Sequence, residues 1–150
     1  MEKLLHLENL RNNGGWCNPP RQHFDMSQPA FQKIAVSKAG IEPVLYRKGS
    51  CKRTGGIRLT ITRRDYFDLV LINNVGATGD IAKVWMKGSK TNSWEPMSRN
   101  WGSNCQSSTY LNRQSLSFRI QTSNGRTKTA YNVAASNWVF GRSYSSNVQF

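Results

Sequence analysis

Acidic side chains are scarce in this chain: 8 against 21 lysines and arginines, for a formal net charge of +13 over 150 residues. The shortage is steepest after residue 51, where 14 basic residues face 4 acidic ones. An imbalance of that size favours polyanionic partners, whether nucleic acid, an anionic membrane face or an acidic polysaccharide. It does not choose among them, but two further absences narrow the field. No P-loop or RNA-recognition signature is present, and the basic residues are scattered one or two per predicted strand instead of forming a phosphate-tracking stripe. A nucleic-acid partner is therefore not expected. Nor does any apolar run approach ~18 residues, so no transmembrane helix is expected.

Cysteine is also sparse. Cys17, Cys51 and Cys105 are an odd set, so they cannot all pair within the chain. There is no C-x-x-C, and His6 and His23 lie far apart. Zinc-site spacing is therefore missing, and no metal or other cofactor is expected. The first ten residues lack the long apolar run and small-residue cleavage site of a signal peptide, so no secretion address is legible in the chain as written.

The 37% apolar content supports a packed core. Leu4, Leu5, Leu7 and Leu10 fall at roughly helical spacing, which fits either a short amphipathic helix or an unanchored tail. Residues 11–20 are turn-rich. His23-Phe24-Asp25 leads into a predicted helix with Ser27 as N-cap, Pro29 in the first turn, Phe31, Ile34 and Ala35 on one face, and Gly40 at its end. Ile41 to Arg47 reads as an edge strand, given Pro43.

After Cys51 the period changes to two. Ile57, Leu59 and Ile61 alternate with Arg58, Thr60 and Thr62, and Arg63-Arg64-Asp65 reads as a turn into a strand over Tyr66–Ile72. Phe67, Leu69 and Leu71 are expected to face inward and Tyr66 outward. Ala82, Val84 and Met86 alternate with Lys83, Trp85 and Lys87. Leu116, Phe118 and Ile120 lead to Asn124-Gly125, a hairpin-turn signal. Further strands are expected near Arg126–Tyr131 and Tyr144–Phe150. Short strands between Gly/Asn/Ser turns imply an antiparallel β-sandwich over residues 54–150. One helix, one strand and a loop before it cannot bury a core of their own.

Chemistry has few candidates. Asp25 beside His23 fits a general acid tuned by burial and by the imidazole, and it equally fits a carboxylate that orients a loop. Glycoside hydrolysis needs a second carboxylate across the bond. Glu2, Glu8 and Glu42 sit in no recognisable motif, and no nucleophilic triad is visible. Exposed aromatics are better placed for binding, since flat rings stack on sugar C–H faces or on bases. Tyr66, Trp85 and Trp101 are the candidates, whereas Trp94, Trp138 and Phe140 are expected in the core.

The motifs Gly14-Gly15-Trp16-Cys17-Asn18-Pro19-Pro20, His23-Phe24-Asp25, Gly40-Ile41-Glu42-Pro43-Val44 and Cys51-Lys52 run in a recognisable order. So do Gly55-Gly56-Ile57-Arg58, Tyr66-Phe67-Asp68-Leu69-Val70-Leu71-Ile72-Asn73-Asn74-Val75-Gly76, Met97-Ser98-Arg99-Asn100-Trp101-Gly102 and Ser136-Asn137-Trp138. Over about residues 11–150 the chain resembles the plant α-expansins. The resemblance implies a mainly β protein, with an immunoglobulin-like antiparallel β-sandwich that binds cellulose over 54–150. Residues 11–53 would be an incomplete remnant of a double-psi β-barrel with one helix, and residues 1–10 stay unassigned. It also implies a secreted, monomeric protein of the plant cell wall.

Such a protein is not an enzyme. It loosens walls by disrupting non-covalent contacts between cellulose and xyloglucan-like matrix glucans, with acidic pectin attracted by Lys and Arg. Tyr66 and Trp101 match the family's exposed cellulose-binding aromatics and Phe67 adjoins them. His23 and Asp25 match a motif vestigial from related cellulases. An inactive polysaccharide-binding module, a glucan hydrolase and a polyanion binder remain the alternatives.

The departures imply an N-terminally truncated member, lacking most of the barrel, its other acid and most of its cysteines. Cys17 and Cys51 resemble barrel cysteines left without partners, either as thiols or paired with each other. Cys105 stands where the family usually has a tryptophan. If that position is buried, the exchange costs roughly 3–5 kcal/mol.

Overall fold

Phe31 is the only buried side chain among the described residues of the first of two units, which part between Tyr46 and Arg47. The structure, a computed structural model, describes residues 22–64, 67–100 and 103–150. Ser27 occupies the N-cap with extended backbone and Pro29 sits in the first turn, but α1 spans only Gln28–Phe31. The amides of Lys33 and Ile34 reach back three residues, to Ala30 and Phe31, so the helix tightens into turns. Val36 is extended and precedes a 3-10 turn over Ser37–Ala39, which Gly40 closes at φ +69°. The longer helix expected up to Gly40 does not form. Ile34 and Val36 are both exposed, so no apolar stripe offsets the cost of nucleation. The expected strand over Ile41–Arg47 is likewise absent, and Val44, Leu45 and Tyr46 stand exposed. Phe24 meets Tyr46 edge to face at 4.7 Å.

The second unit holds eight described strands: β1 (Arg58–Arg64), β2 (Phe67–Asn73), β3 (Ile81–Gly88), β4 (Glu95–Arg99), β5 (Asn104–Ser107), β6 (Leu116–Thr122), β7 (Thr127–Ala134) and β8 (Arg142–Ser145). All ladders are antiparallel, in the order β7-β6-β3-β4-β5-β2-β1-β8. Strand β4 changes sheet midway: Pro96 and Met97 pair with Trp85 and Val84, while Ser98 and Arg99 pair with Gln106 and Cys105. One continuous strand order thus becomes two layers, an antiparallel immunoglobulin-like sandwich that β4 nearly closes into a barrel.

Both layers face one core. Ile57, Leu59, Ile61, Val70 and Ile72 come from one side, and Val84, Met86, Leu116, Phe118 and Ile120 from the other. Burial of each such side chain stabilises the fold by roughly 1.5–3 kcal/mol. In β2 the observed parity is the reverse of the expectation, because Val70 and Ile72 enter the core and Leu69 and Leu71 lie on the opposite face. The run Phe67–Ile72 is too apolar to fix its own parity. Register with β1 decides it, pairing Leu59 with Ile72 and Ile61 with Val70.

Trp138 closes one end, its indole N–H donating to the Gln114 carbonyl at 3.0 Å and its ring meeting Phe140 edge to face at 4.8 Å. Trp94 does not join the core as expected. It stands half-buried outside the β3–β6 layer. Cys105 is buried opposite Val70. Cys51 pairs with Ala77 through its backbone alone, and both thiols are free. Cys17 lies outside the described residues.

Candidate functional site

The outer face of the layer β4-β5-β2-β1-β8 is set by alternation. Residues pointing away from the core are Thr60 and Thr62 on β1, Leu69 and Leu71 on β2, and Asn104 and Gln106 on β5. Ser98 on β4 and Ser143 on β8 share this face, and so does Arg58, exposed at the start of β1 and paired with Asn73 and Ser145. Apart from Arg58, these side chains are uncharged. Hydroxyls and amides are held in pairs: Thr60 Oγ1 lies 2.6 Å from Ser143 Oγ, Thr62 Oγ1 donates to the Leu69 carbonyl at 3.4 Å, and Asn100 Nδ2 donates to Gln106 Oε1. Leu71 adds a half-buried apolar strip between them. Such a face offers donors, acceptors and apolar surface, with Arg58 its one described charge at the start of β1, which suits a neutral polyhydroxylated chain better than a polyanion.

Two strand connections border this face. The β1–β2 ladder closes at Arg64 and Phe67, with residues 65 and 66 between them. On the other side Asn100 N–H bonds to the Asn104 carbonyl, with residues 101–103 between. Asn104 is paired with Leu71, four residues along β2 from Phe67, roughly 13 Å at the rise of a strand. Tyr66 and Trp101 themselves lie outside the described residues. Phe67 heads β2 opposite Arg64, and its side chain is also outside the description. Sequence reasoning had turned Thr60 and Thr62 outward by alternation. It missed Gln106, Asn100 and Ser143 as their companions, which only the pairing of β5 and β8 reveals.

His23 and Asp25 are brought together, with Nε2 3.9 Å from Oδ2. Both are exposed, in an irregular stretch before α1. Among the described residues no group of three His, Cys, Asp or Glu could hold a metal ion, and no helix is long and apolar enough to cross a membrane.

Comparison with known proteins places these features. The Expansin C-terminal domain family matches residues 57–135, more than half of the chain, and a family described as lytic transglycolase matches residues 11–46. Expansin-A13 of Oryza sativa subsp. japonica is 49% identical over 139 residues, covering 93% of this chain and 53% of that protein. Expansin-A7 of Arabidopsis thaliana is 49% identical over 140 residues, again covering 93% of this chain and 53% of the relative. The chain thus spans about half the length of the curated relatives it matches. Among solved structures, the apo expansin of Clavibacter michiganensis is similar, with a TM-score of 0.66 and 16% identity over 89% of this chain and 64% of that one. A mutant of that bacterial expansin, solved in complex with cellohexaose, gives a TM-score of 0.60 at 15% identity, over 80% of this chain and 57% of that one. At such identities these two structures bear on the fold alone.

Proposed function

The chain belongs to the expansin family, and from that premise we propose that it binds cellulose through the outer face built on Thr60, Thr62, Leu71 and Gln106. Tyr66 and Trp101 in its two bordering connections stack on the glucan, and Phe67 adjoins them. The observation that carries this reading is the hydroxyl- and amide-paired face, where Arg58 is the one charged side chain described, in a chain of net charge +13. Family membership supports cellulose as the partner, and the bacterial expansin of the same fold was solved with cellohexaose bound.

The mechanism is non-hydrolytic. The rings and paired polar groups compete with the contacts that cellulose makes to xyloglucan-like matrix glucans, and the wall creeps as those contacts exchange. The exposed placement of Asp25, with His23 at 3.9 Å, supports the absence of bond cleavage. Secretion to the plant cell wall follows from family membership, and polar outer faces on both layers support a monomer. A division into residues 1–10, a barrel remnant over 11–53 and a binding sandwich over 54–150 goes with this reading.

Sedimentation with microcrystalline cellulose tests it. Binding that persists in 1 M salt without release of reducing ends is expected. Loss of binding in salt, or release of reducing ends that Asp25→Asn abolishes, overturns it.

A further inference from the structure

The outer face of the second layer, β7-β6-β3-β4, has the opposite character. Lys83, Trp85 and Lys87 alternate outward on β3, paired with Gln121, Arg119 and Ser117 of β6. The register that pairs Met86 with Glu95 puts Trp94 across from Lys87. The Arg119 guanidinium lies 4.4 Å from the Trp94 ring centroid and Lys87 Nζ lies 5.5 Å from it. Tyr131, 64% exposed, meets the same indole at 6.3 Å with its ring at 61°.

The negative partner is missing. Among the described residues no carboxylate comes within ion-pair distance of Lys83, Lys87 or Arg119. Glu95, next to Trp94, instead accepts from Ser93 Oγ at 2.8 Å. An indole under a guanidinium engages the flat of the cation and leaves its planar N–H fork to a carboxylate. It also holds a long side chain in place, which lowers the entropy lost when an anion binds.

We infer that this face is a second binding site, for the carboxylates of a polyuronide. Arg119 takes one carboxylate as a bidentate fork, Lys87 adds charge beside it, and Tyr131 offers an exposed ring to a sugar C–H face. A single-stranded nucleic acid fits less well. Base stacking needs an open aromatic plate, and the Trp94 ring already lies against two cations. The site is independent of the hydroxyl- and amide-paired face and stands or falls separately from cellulose binding.

Titration calorimetry of the full chain with polygalacturonate tests the inference, with melting temperature measured for every variant. Lys87→Gln/Arg119→Gln should weaken binding by about tenfold or more, the scale of one lost charge-assisted bond. Arg119→Lys should lose part of that, and the control Lys90→Gln/Arg142→Gln should stay within about twofold. Fully methyl-esterified polymer should not bind the parent protein at this face, an arm that needs no variant to fold. Cellulose sedimentation of Lys87→Gln/Arg119→Gln should match the parent. Equal losses in the two double variants, equal binding of the ester, or tighter binding of single-stranded DNA through Lys87 and Arg119 would each overturn it.

Discussion

The Gln149 side chain donates from Nε2 to the Asn74 carbonyl at 2.9 Å, tying the C-terminus to the end of β2. Both amides are shared further. Gln149 also donates to the Gly55 carbonyl and accepts from Gly76 N–H at 2.8 Å, while Asn74 Nδ2 donates to the Thr54 and Gly56 carbonyls. At about 1 kcal/mol per bond, Gln149→Met should cost roughly 2–3 kcal/mol in urea unfolding. Gln149→Glu should cost at least as much at pH 7, because a carboxylate cannot donate to the two carbonyls it faces. Its folded-state pKa is then raised, so the variant should regain stability as pH falls toward 4. Two variants within 0.5 kcal/mol of the parent would leave the tie without energetic weight.

Gly56 stands against the backbone of Ser146, where an added Cβ would overlap the Ser146 carbonyl oxygen. That carbonyl cannot withdraw easily, because Ser146 N–H bonds to Ile57 and Ile57 N–H bonds to Val148. Gly56→Ala should destabilise by more than about 3 kcal/mol. Gly125, at φ +83° in the β6–β7 turn with open space around it, should lose only about 1 kcal/mol on the same change. Thermal melts of the two variants check the contrast.

Burial pushes the Cys105 thiol above its ordinary 9.0, with the Arg99 charge opposing the shift. A folded-state pKa above the unfolded one stabilises the fold fully below pH 9 and less as pH rises through the folded value. Above pH 9 the parent should therefore lose stability faster than Cys105→Ala. At pH 8 a small thiol reagent should modify Cys51, half-buried and backbone-paired, before it reaches Cys105. Parallel stability profiles from pH 8 to 10 would contradict the assignment.

Asp80 receives Lys48 Nζ at 2.7 Å, and that contact, then Ser123 and Thr78, holds its carboxyl far below the usual 3.8. Its contribution is present above the unfolded pKa and disappears as acid protonates the folded group. Lys48→Met should raise the Asp80 pKa toward 3.8 and move acid unfolding to higher pH. The Asp80 carboxyl carbon shift, followed by NMR from pH 2 to 6, reads this directly.

Where the sequence alternated, it was legible. β1, with Leu59 and Ile61 inward and Thr60 and Thr62 outward, needed no more than its period. β2 was not readable to its faces, because an apolar run obeys whichever neighbour it pairs with. The helix after Ser27 was overextended, since spacing alone cannot show that Ile34 and Val36 lack a surface to cover. Trp94 and Trp138 look alike in sequence. Only the strand partners separate an indole that donates to Gln114 within the core from one that lies against Lys87 and Arg119 outside it. The hydroxyl- and amide-paired face is half-legible, because its β1 residues, Arg58 among them, follow from alternation while Gln106 and Ser143 arrive by non-local pairing.

The central claim is that the rings of Tyr66 and Trp101 bind glucan beside the hydroxyl- and amide-paired face. An equilibrium isotherm on microcrystalline cellulose in 1 M salt, for the parent and for Tyr66→Ala, Trp101→Ala and the double variant, tests it most directly. Each single change should weaken binding by about tenfold, on the ~1–3 kcal/mol scale of a stacked ring, and the double should abolish measurable binding with the melting temperature retained. A folded double variant that binds cellulose like the parent would contradict the account.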